Sequence, residues 1–495
     1  MAGFRKINID SSSDKTYSDQ IVEQYIRAIQ TGTLLVGSKL PSIRDLSLTL
    51  KINKIGVITA YNKLCDAGYI KAKAGSGYYV TYKPQKKSDH TSDKTVSSIN
   101  QDPPITIQDI SNQPLFYHSN ESITNLGGNE IPKNLGIMED LRGITRTIFS
   151  NNSIIYQYPN RQGFLPLREF IAFELENKGM PIFNADQILI CNGAIQALNI
   201  VLNTYLSPND HIVIEAPNYE FYFSSIILKK YQHIYLERTP EKINLSEMIK
   251  SEIKNKRPKI FILYSNCNNP TSGILSSVER HEIINLAKEV NAIIIEMDIY
   301  KGLNYDDFVP PYLSAMDGFN HTIYISSYSK IFAPGVRIGY LASNNEKIQK
   351  LLLMKTFHQI TSSLIDQQIV YEMCIRGILK KHIHKLKDSY RSKRDTLISM
   401  LKKTSPQGSK WNHPEAGMHL WFEFPQGEDL KVIEERSFEK KISIAPGYYF
   451  YPNKINCNFM RINFANLEPV QTYNSLETIF TIWRNASSRK WITKK

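Results

Sequence analysis

Ser327-Tyr328-Ser329-Lys330, followed by Pro334-Gly335 and then Arg337, is the stretch on which the reading of this chain turns. It sets one lysine behind two hydroxyls and ahead of a tight turn and an arginine. A primary amine held there can condense with an aldehyde cofactor, while hydroxyls and a guanidinium bind that cofactor's phosphate. Together they suggest pyridoxal 5'-phosphate (PLP).

The 495 residues are enough for two or three domains. Apolar residues make up 42% and charged residues 22%, an ordinary globular balance. No apolar run reaches the length of a membrane span, and Met1-Ala2-Gly3-Phe4-Arg5-Lys6 lacks the apolar core of a signal peptide. The five cysteines are scattered and never spaced as C-x-x-C, which reads as reduced thiols in a cytoplasmic protein with no metal site. The formal charge of +13 is uneven: residues 1–90 hold 14 Lys/Arg against 7 Asp/Glu. That skew suggests a nucleic-acid-facing front on a near-neutral body, although a solvated lysine-rich surface gives the same count.

Within the front, Ile21, Tyr25 and Ile29 predict an amphipathic helix over 17–30. Ser42 caps a second helix through Ile43, Leu46 and Leu50, and a third carries Val57, Tyr61 and Leu64 before stopping at Ala67-Gly68. Tyr69-Ile70 and Tyr78-Tyr79-Val80 read as short strands joined through Gly75-Ser76-Gly77. Three helices and a hairpin make a winged helix-turn-helix over 10–82. Residues 83–112 are polar, without apolar periodicity, and read as a linker.

Beyond it, a third segment, 113–487, alternates helical patterns with short β-branched runs. Ile188-Leu189-Ile190, Ile212-Val213-Ile214, Ile260-Phe261-Ile262-Leu263, Ile293-Ile294-Ile295 and Ile323-Tyr324-Ile325 are apolar throughout, as strands buried on both faces are. The fold class is therefore α/β, with a mainly parallel central sheet and ligands expected at the carboxyl ends of its strands. Polar residues cluster at those ends. Gly193 opens a helix whose first amides, Ala194 and Ile195, can face a phosphate, though glycine also serves such turns for packing alone. Tyr219 can stack on a flat ring or simply fill a core. Asn269-Pro270 is a turn whose amide can donate to a ring oxygen, shared with Tyr300. Asp298 at a strand end needs a cation if buried, which a protonated pyridine nitrogen would supply.

In this order, the glycine turn, aromatic, Asn-Pro, Asp-x-Tyr and Ser-x-Ser-Lys resemble the aspartate aminotransferase superfamily, PLP fold type I with a small C-terminal subdomain. The resemblance implies that Lys330 is the lysine of the internal aldimine, with Asp298 on the pyridine nitrogen and Tyr219 on the ring. It assigns Asn269 and Tyr300 to the ring oxygen, and Ser327, Ser329, Arg337, Ala194 and Ile195 to the phosphate. Tyr158 matches a tyrosine that reaches the neighbouring subunit's phosphate, implying a homodimer with shared sites. Arg461 matches an arginine that grips a substrate carboxylate. Leu40-Pro41-Ser42-Ile43-Arg44-Asp45-Leu46 with Gly75-Ser76-Gly77-Tyr78-Tyr79-Val80 resembles the GntR winged helix. By that resemblance Ser42 and Arg44 touch phosphates of a double-stranded DNA operator, Asn53 and Lys54 open the recognition helix, and the wing at Gly75, Ser76 and Gly77 enters the minor groove. Lys54 stands where an arginine is more frequent, and Gly56 where a small hydroxyl residue is usual.

A GntR reader fused to an aminotransferase-like body is the plan of MocR/GabR-type regulators. The expected function is a PLP-dependent transcriptional regulator sensing an amino compound through an external aldimine. A working class I/II aminotransferase with an appended winged helix is the alternative.

Overall fold

The computed structural model describes residues 7, 9, 15–30, 34, 37–50, 52–73, 76–81, 123–132, 137–150, 156, 158–218, 229–237, 245–253, 256–305, 309–425, 429–451 and 457–492. The expected linker 83–112, Gly75 and Tyr219 lie outside the described residues. The chain divides into two compact units, Met1–Ile99 and Asn100–Lys495.

In the first unit α1 (Tyr17–Gln30), α2 (Ile43–Leu50) and α3 (Lys54–Asp66) precede a hairpin of β1 (Ile70–Lys73) and β2 (Gly77–Val80). The residues whose spacing marks the helices are those that fill the core: Ile21, Tyr25, Leu46, Val57, Tyr61 and Leu64 are buried together. Ser42 accepts from the Asp45 amide at 3.1 Å and donates to the Asp45 carboxylate at 2.7 Å, which fixes the start of α2. Asn53 does the same for α3, accepting from the Ile55 amide at 3.1 Å. Tyr61 donates to the Pro41 carbonyl at 2.8 Å, tying α3 to the lead-in of α2. Past α3, Gly68 takes a φ of 75°, the left-handed stop that its sequence position predicts. Three helices and a two-stranded wing are present.

The second unit opens with the short β3 (Thr124–Asn125). Its main sheet comprises β4 (Ile188–Cys191), β5 (His211–Ala216), β6 (Gln232–Glu237), β7 (Ile260–Leu263), β8 (Ile293–Asp298), β9 (Thr322–Ser327) and β10 (Gly339–Ala342). The strand order is β4-β10-β9-β8-β7-β5-β6. β5, β6, β7, β8 and β9 pair in parallel, while β10 runs antiparallel to both β9 and β4. All five β-branched runs singled out in the sequence are strands of this sheet. Four of its strands are buried along their whole length, and helices such as Ala194–Tyr205 and Ser277–Val290 cross between strands. A smaller subdomain follows, in which β11 (Lys410–Trp411), β12 (His419–Glu423), β14 (Ala445–Pro446) and β15 (Phe459–Asn463) form an antiparallel sheet. Between them β13 (Ile442–Ser443) pairs in parallel with β3, drawing residues 124–130 into the site described below.

Leu64 is fully buried in the winged-helix core. Leu64→Ala should cost the first unit about 2–5 kcal/mol, read in limited proteolysis as faster cleavage within residues 17–80 while the second unit keeps its wild-type rate.

Candidate cofactor and nucleic-acid sites

The antiparallel return of β10 builds the site. Gly339 lies opposite Ser327, and the Tyr328 amide donates to the Ile338 carbonyl at 2.9 Å, so residues 328–338 form a closed loop at the carboxyl end of β9. Ser329, Lys330 and Arg337 are confined to that loop. Ser327 Oγ donates to Ser329 Oγ at 3.1 Å and accepts from the Ser329 amide at 3.2 Å. Arg337, at a left-handed φ of 52°, reaches Ser329 Oγ at 3.4 Å and the Asn192 carbonyl at 3.5 Å. These are long bonds on an exposed guanidinium, which leaves its fork available to an anion.

Beside it begins the helix Ala194–Tyr205, whose N-cap Gly193 supplies no side-chain hydrogen bond. Gly193 adopts φ 81°, and a Cβ there would stand 2.7 Å from Arg337 Nη2. A side chain at 193 would therefore fill the space where Arg337, Ser327, Ser329 and the first amides of the helix converge. A cradle kept open at a helix N-terminus suits a phosphate.

The other half of the site lies under residues 127–129. Lys330 is half-buried as a residue, and its amine donates to the Asn129 carbonyl. Burial first, then the Arg461 and Arg337 guanidiniums, hold its pKa down to about 7. Tyr300 donates to Asn129 Oδ1 at 3.1 Å. Arg461, 2% exposed, gives two hydrogen bonds to the Gly127 carbonyl, at 2.6 and 3.2 Å, and one to Asn269 Oδ1 at 2.9 Å. Its guanidinium also lies 4.8 Å from the Phe450 ring centre. Asn269 is fully buried, yet its Nδ2 has no partner among the described residues. An orphaned buried donor is costly unless a ligand acceptor completes it.

Asp298 ends β8, 4% exposed, and accepts from the Tyr324 hydroxyl at 2.6 Å. Ser326, opposite Asp298 in the sheet register, donates to the Asp298 carbonyl at 2.7 Å. The neighbouring acid, Glu296, is instead structural: it receives Ser265 Oγ at 2.5 Å and the Leu313 and Ser314 amides at 2.8 Å. His419 is buried 3.4 Å from the Tyr300 hydroxyl, and burial, Arg461 and Lys330 push its pKa well below the usual histidine range. It is a neutral packing group here.

The structure thus gathers Lys330, Asn269, Tyr300, Arg461, Ser327, Ser329, Arg337 and Ala194 around the ends of the strands. Ile195 follows Ala194 in the first turn of its helix and is half-buried. Tyr158 stands apart, 87% exposed on the single chain. Tyr324, Gly127 and Asn129 were not foreseen from the sequence. Tyr324 looked like an ordinary core strand residue, and the two backbone carbonyls carry no sequence signature. The orphaned Asn269 amide, the cradle at Gly193 and a depressed lysine together fit a phosphorylated aromatic aldehyde.

On the first unit, Arg44, Lys54 and Asn53 are exposed on α2, α3 and the turn between them. The hydroxyl of Ser42 and the side-chain oxygen of Asn53 serve as caps, so contacts to another molecule would have to be shared with that role. At the wing, Ser76 Oγ lies 2.7 Å from the Tyr79 hydroxyl, and Gly77 has φ 109°. Lys39 and Lys73 flank the Tyr79 ring at 5.9 and 5.5 Å. Among the described residues, no helix is long and apolar enough to cross a membrane.

Comparison with known proteins agrees with both halves. The family model "Aminotransferase class I and II" matches residues 121–479, and "Bacterial regulatory proteins, gntR family" matches residues 17–80. Aromatic-amino-acid aminotransferase 1 of Thermococcus litoralis is 30% identical over 70% of this chain and 84% of its own length. The uncharacterized HTH-type transcriptional regulator YdfD of Bacillus subtilis is 28% identical over 91% of this chain and 93% of its own. Among solved structures, the kynurenine aminotransferase of Pyrococcus horikoshii superposes with a TM-score of 0.69, at 28% identity, over 74% of this chain and 92% of that one.

Tyr324→Phe removes the hydroxyl from a buried carboxylate and should cost about 1.5–3 kcal/mol in urea unfolding. Asp298→Ala combined with it should cost less than the sum of the two single changes, because the cycle removes both ends of one bond.

Proposed function

The chain belongs to the class I and II aminotransferase family, and we propose that it uses that family's cofactor site to regulate transcription. With a GntR-family module ahead of that domain, its organisation is that of the MocR/GabR-type regulators. The observation that carries the proposal is the Lys330 amine, held to about 7 by burial and two guanidiniums, in a unit that also holds an orphaned amide at Asn269 and in a chain with a GntR-family front.

PLP, which this family typically binds, supplies an aldehyde at which primary amines exchange and a ring that withdraws electrons. In this reading Ser327, Ser329, Arg337 and the amides of Ala194 and Ile195 hold its phosphate. Asn269 and Tyr300 hold the ring oxygen, Asp298 faces the ring nitrogen, and Tyr219 lies on the ring. Tyr158, exposed on one chain, contributes from a second copy, so the functional unit is a homodimer. Lys330 serves as the resident amine. With a pKa near 7, a large fraction of it is neutral and nucleophilic at physiological pH, which an unperturbed lysine is not.

The sensed molecule is an amino compound bearing a carboxylate, the group for which the Arg461 fork is matched. Arg461 is already engaged by the Gly127 carbonyl, so a carboxylate enters in competition with residues 127–129. The same segment holds the Lys330 amine through Asn129. Ligand entry therefore replaces the Arg461 anchor of the segment, which follows residues 83–112, the expected linker, on the chain. Coupling of this kind shifts DNA affinity only by the difference in the ligand's binding to the two states, about 5.5 kcal/mol for a full reversal of a 1:99 balance.

Uptake of PLP by the apoprotein should rise with pH through about 7 and level off above, since the protonated amine cannot attack the aldehyde. Arg461→Leu removes one repelling cation and should move that midpoint upward. Lys330→Ala should lose PLP on desalting, and its binding to an operator duplex should no longer respond to a panel of amino acids. An unchanged response in PLP-free protein would defeat the sensor reading. Steady release of keto acid at about 1–1000 per second would assign the site to catalysis instead.

A further inference from the structure

We propose that α3 reads thymine methyl groups in the major groove of its operator, through Ile55 and Ile58. The inference rests on the DNA-binding reading of the first unit and specifies what that unit recognises.

A surface helix is normally polar opposite its buried face. α3 is not. Val57, Ala60, Tyr61 and Leu64 face the core, while Ile55 is 67% and Ile58 41% exposed on the other side. The two isoleucines are three residues apart and so share one face of the helix. Gly56, between them in sequence, lies about 100° round the helix from Ile55, and no atom stands within 4 Å of where its Cβ would be, so that flank of the helix is open too.

Several of the polar groups on and beside this face are already engaged within the protein. The Thr59 hydroxyl donates to the Ile55 carbonyl at 2.9 Å, the Asn53 side-chain oxygen caps the helix, and Lys63 pairs with Asp19 at 2.6 Å. Lys54 remains in the first turn and Asn62 two turns further on, both exposed. As the second helix of a helix-turn-helix, α3 is the element that enters the major groove. Among the base edges displayed there, only thymine offers an apolar group, its C5 methyl. Lysines and arginines outnumber acids 14 to 7 over residues 1–90, which draws the unit to phosphate but carries no sequence information. Exposed isoleucines against thymine methyls, with Lys54 as the nearby donor, supply that information.

The test begins with selection of binding sites by the full-length protein from a random duplex library at fixed salt. In the best duplex each thymine is then replaced singly by deoxyuridine, which keeps every hydrogen-bonding group and deletes only the methyl. The expected result is about a fourfold loss of affinity at one or two adjacent positions per half-site, the worth of one buried methyl. Ile55→Ala or Ile58→Ala protein should bind thymine and deoxyuridine duplexes alike at those positions. Both residues are exposed, so these proteins should melt as wild type does. Equal binding of wild type to every deoxyuridine duplex would overturn the proposal while leaving DNA binding intact. So would retention of the thymine preference in the Ile55→Ala, Ile58→Ala double variant. No enrichment of any duplex would instead remove the DNA-binding reading, and the proposal with it.

Discussion

The site of the second unit depends on one strand running the wrong way. Were β9 followed by the helical crossover that joins its parallel neighbours, Arg337 would be carried off the edge of the sheet. Because β10 returns antiparallel beside β9, the eleven residues from Tyr328 to Ile338 form a loop pinned at both ends by the Tyr328–Ile338 bond and the Ser327–Gly339 register. The two hydroxyls, the amine and the guanidinium then have nowhere to go but the carboxyl edge. There the parallel strands already present Asp298, and the open N-terminus of Ala194–Tyr205 already points.

That concentration of positive charge has to be offset. Burial, and then the nearby Arg461 and Arg337 guanidiniums, depress the Lys330 amine. Main-chain carbonyls contribute to that compensation. Gly127 and Asn129 accept from Arg461 and Lys330 respectively, held in place by Asn463, whose Nδ2 donates to the Gly128 and Glu130 carbonyls at 3.2 and 3.0 Å. A carbonyl is a weaker partner for a guanidinium than a carboxylate. Carbonyls can thus satisfy the cations in the absence of a ligand and still be displaced by one.

Most of this was legible in the chain. Strands buried on both faces announce themselves as β-branched runs, and five of the seven sheet strands were read that way. The two that were not, β6 and β10, explain the limit: Gln-His-Ile-Tyr-Leu-Glu alternates like a half-exposed edge strand, and Gly-Tyr-Leu-Ala is too short to stand out. Strand direction has no local signature either, so the antiparallel return of β10 follows only from the sheet. Lys330, Asp298 and Arg337 were legible because their chemistry demands those side chains. The Gly127 and Asn129 carbonyls were not, because any residue supplies a carbonyl and only the fold decides where it points. Tyr324 was hidden for the opposite reason, since a tyrosine inside an apolar strand is what an ordinary core also looks like.

Proteins depart from local rules where function requires it, and the two units do so in complementary ways. The aminotransferase-like unit leaves a buried amide at Asn269 unsatisfied and holds a lysine at low pKa, departures that favour a polar, phosphorylated ligand. The winged helix leaves isoleucines in water on the one helix whose place in the motif directs it at base edges. Scattered exposed apolar residues would mean little. Two on a single face, turned away from a well-packed core, cannot be ascribed to shortage of core space, since Val57, Tyr61 and Leu64 already fill it. An unsatisfied donor invites an acceptor and an uncovered apolar side chain invites a methyl, so the departures of each unit match the chemistry of the ligand proposed for it.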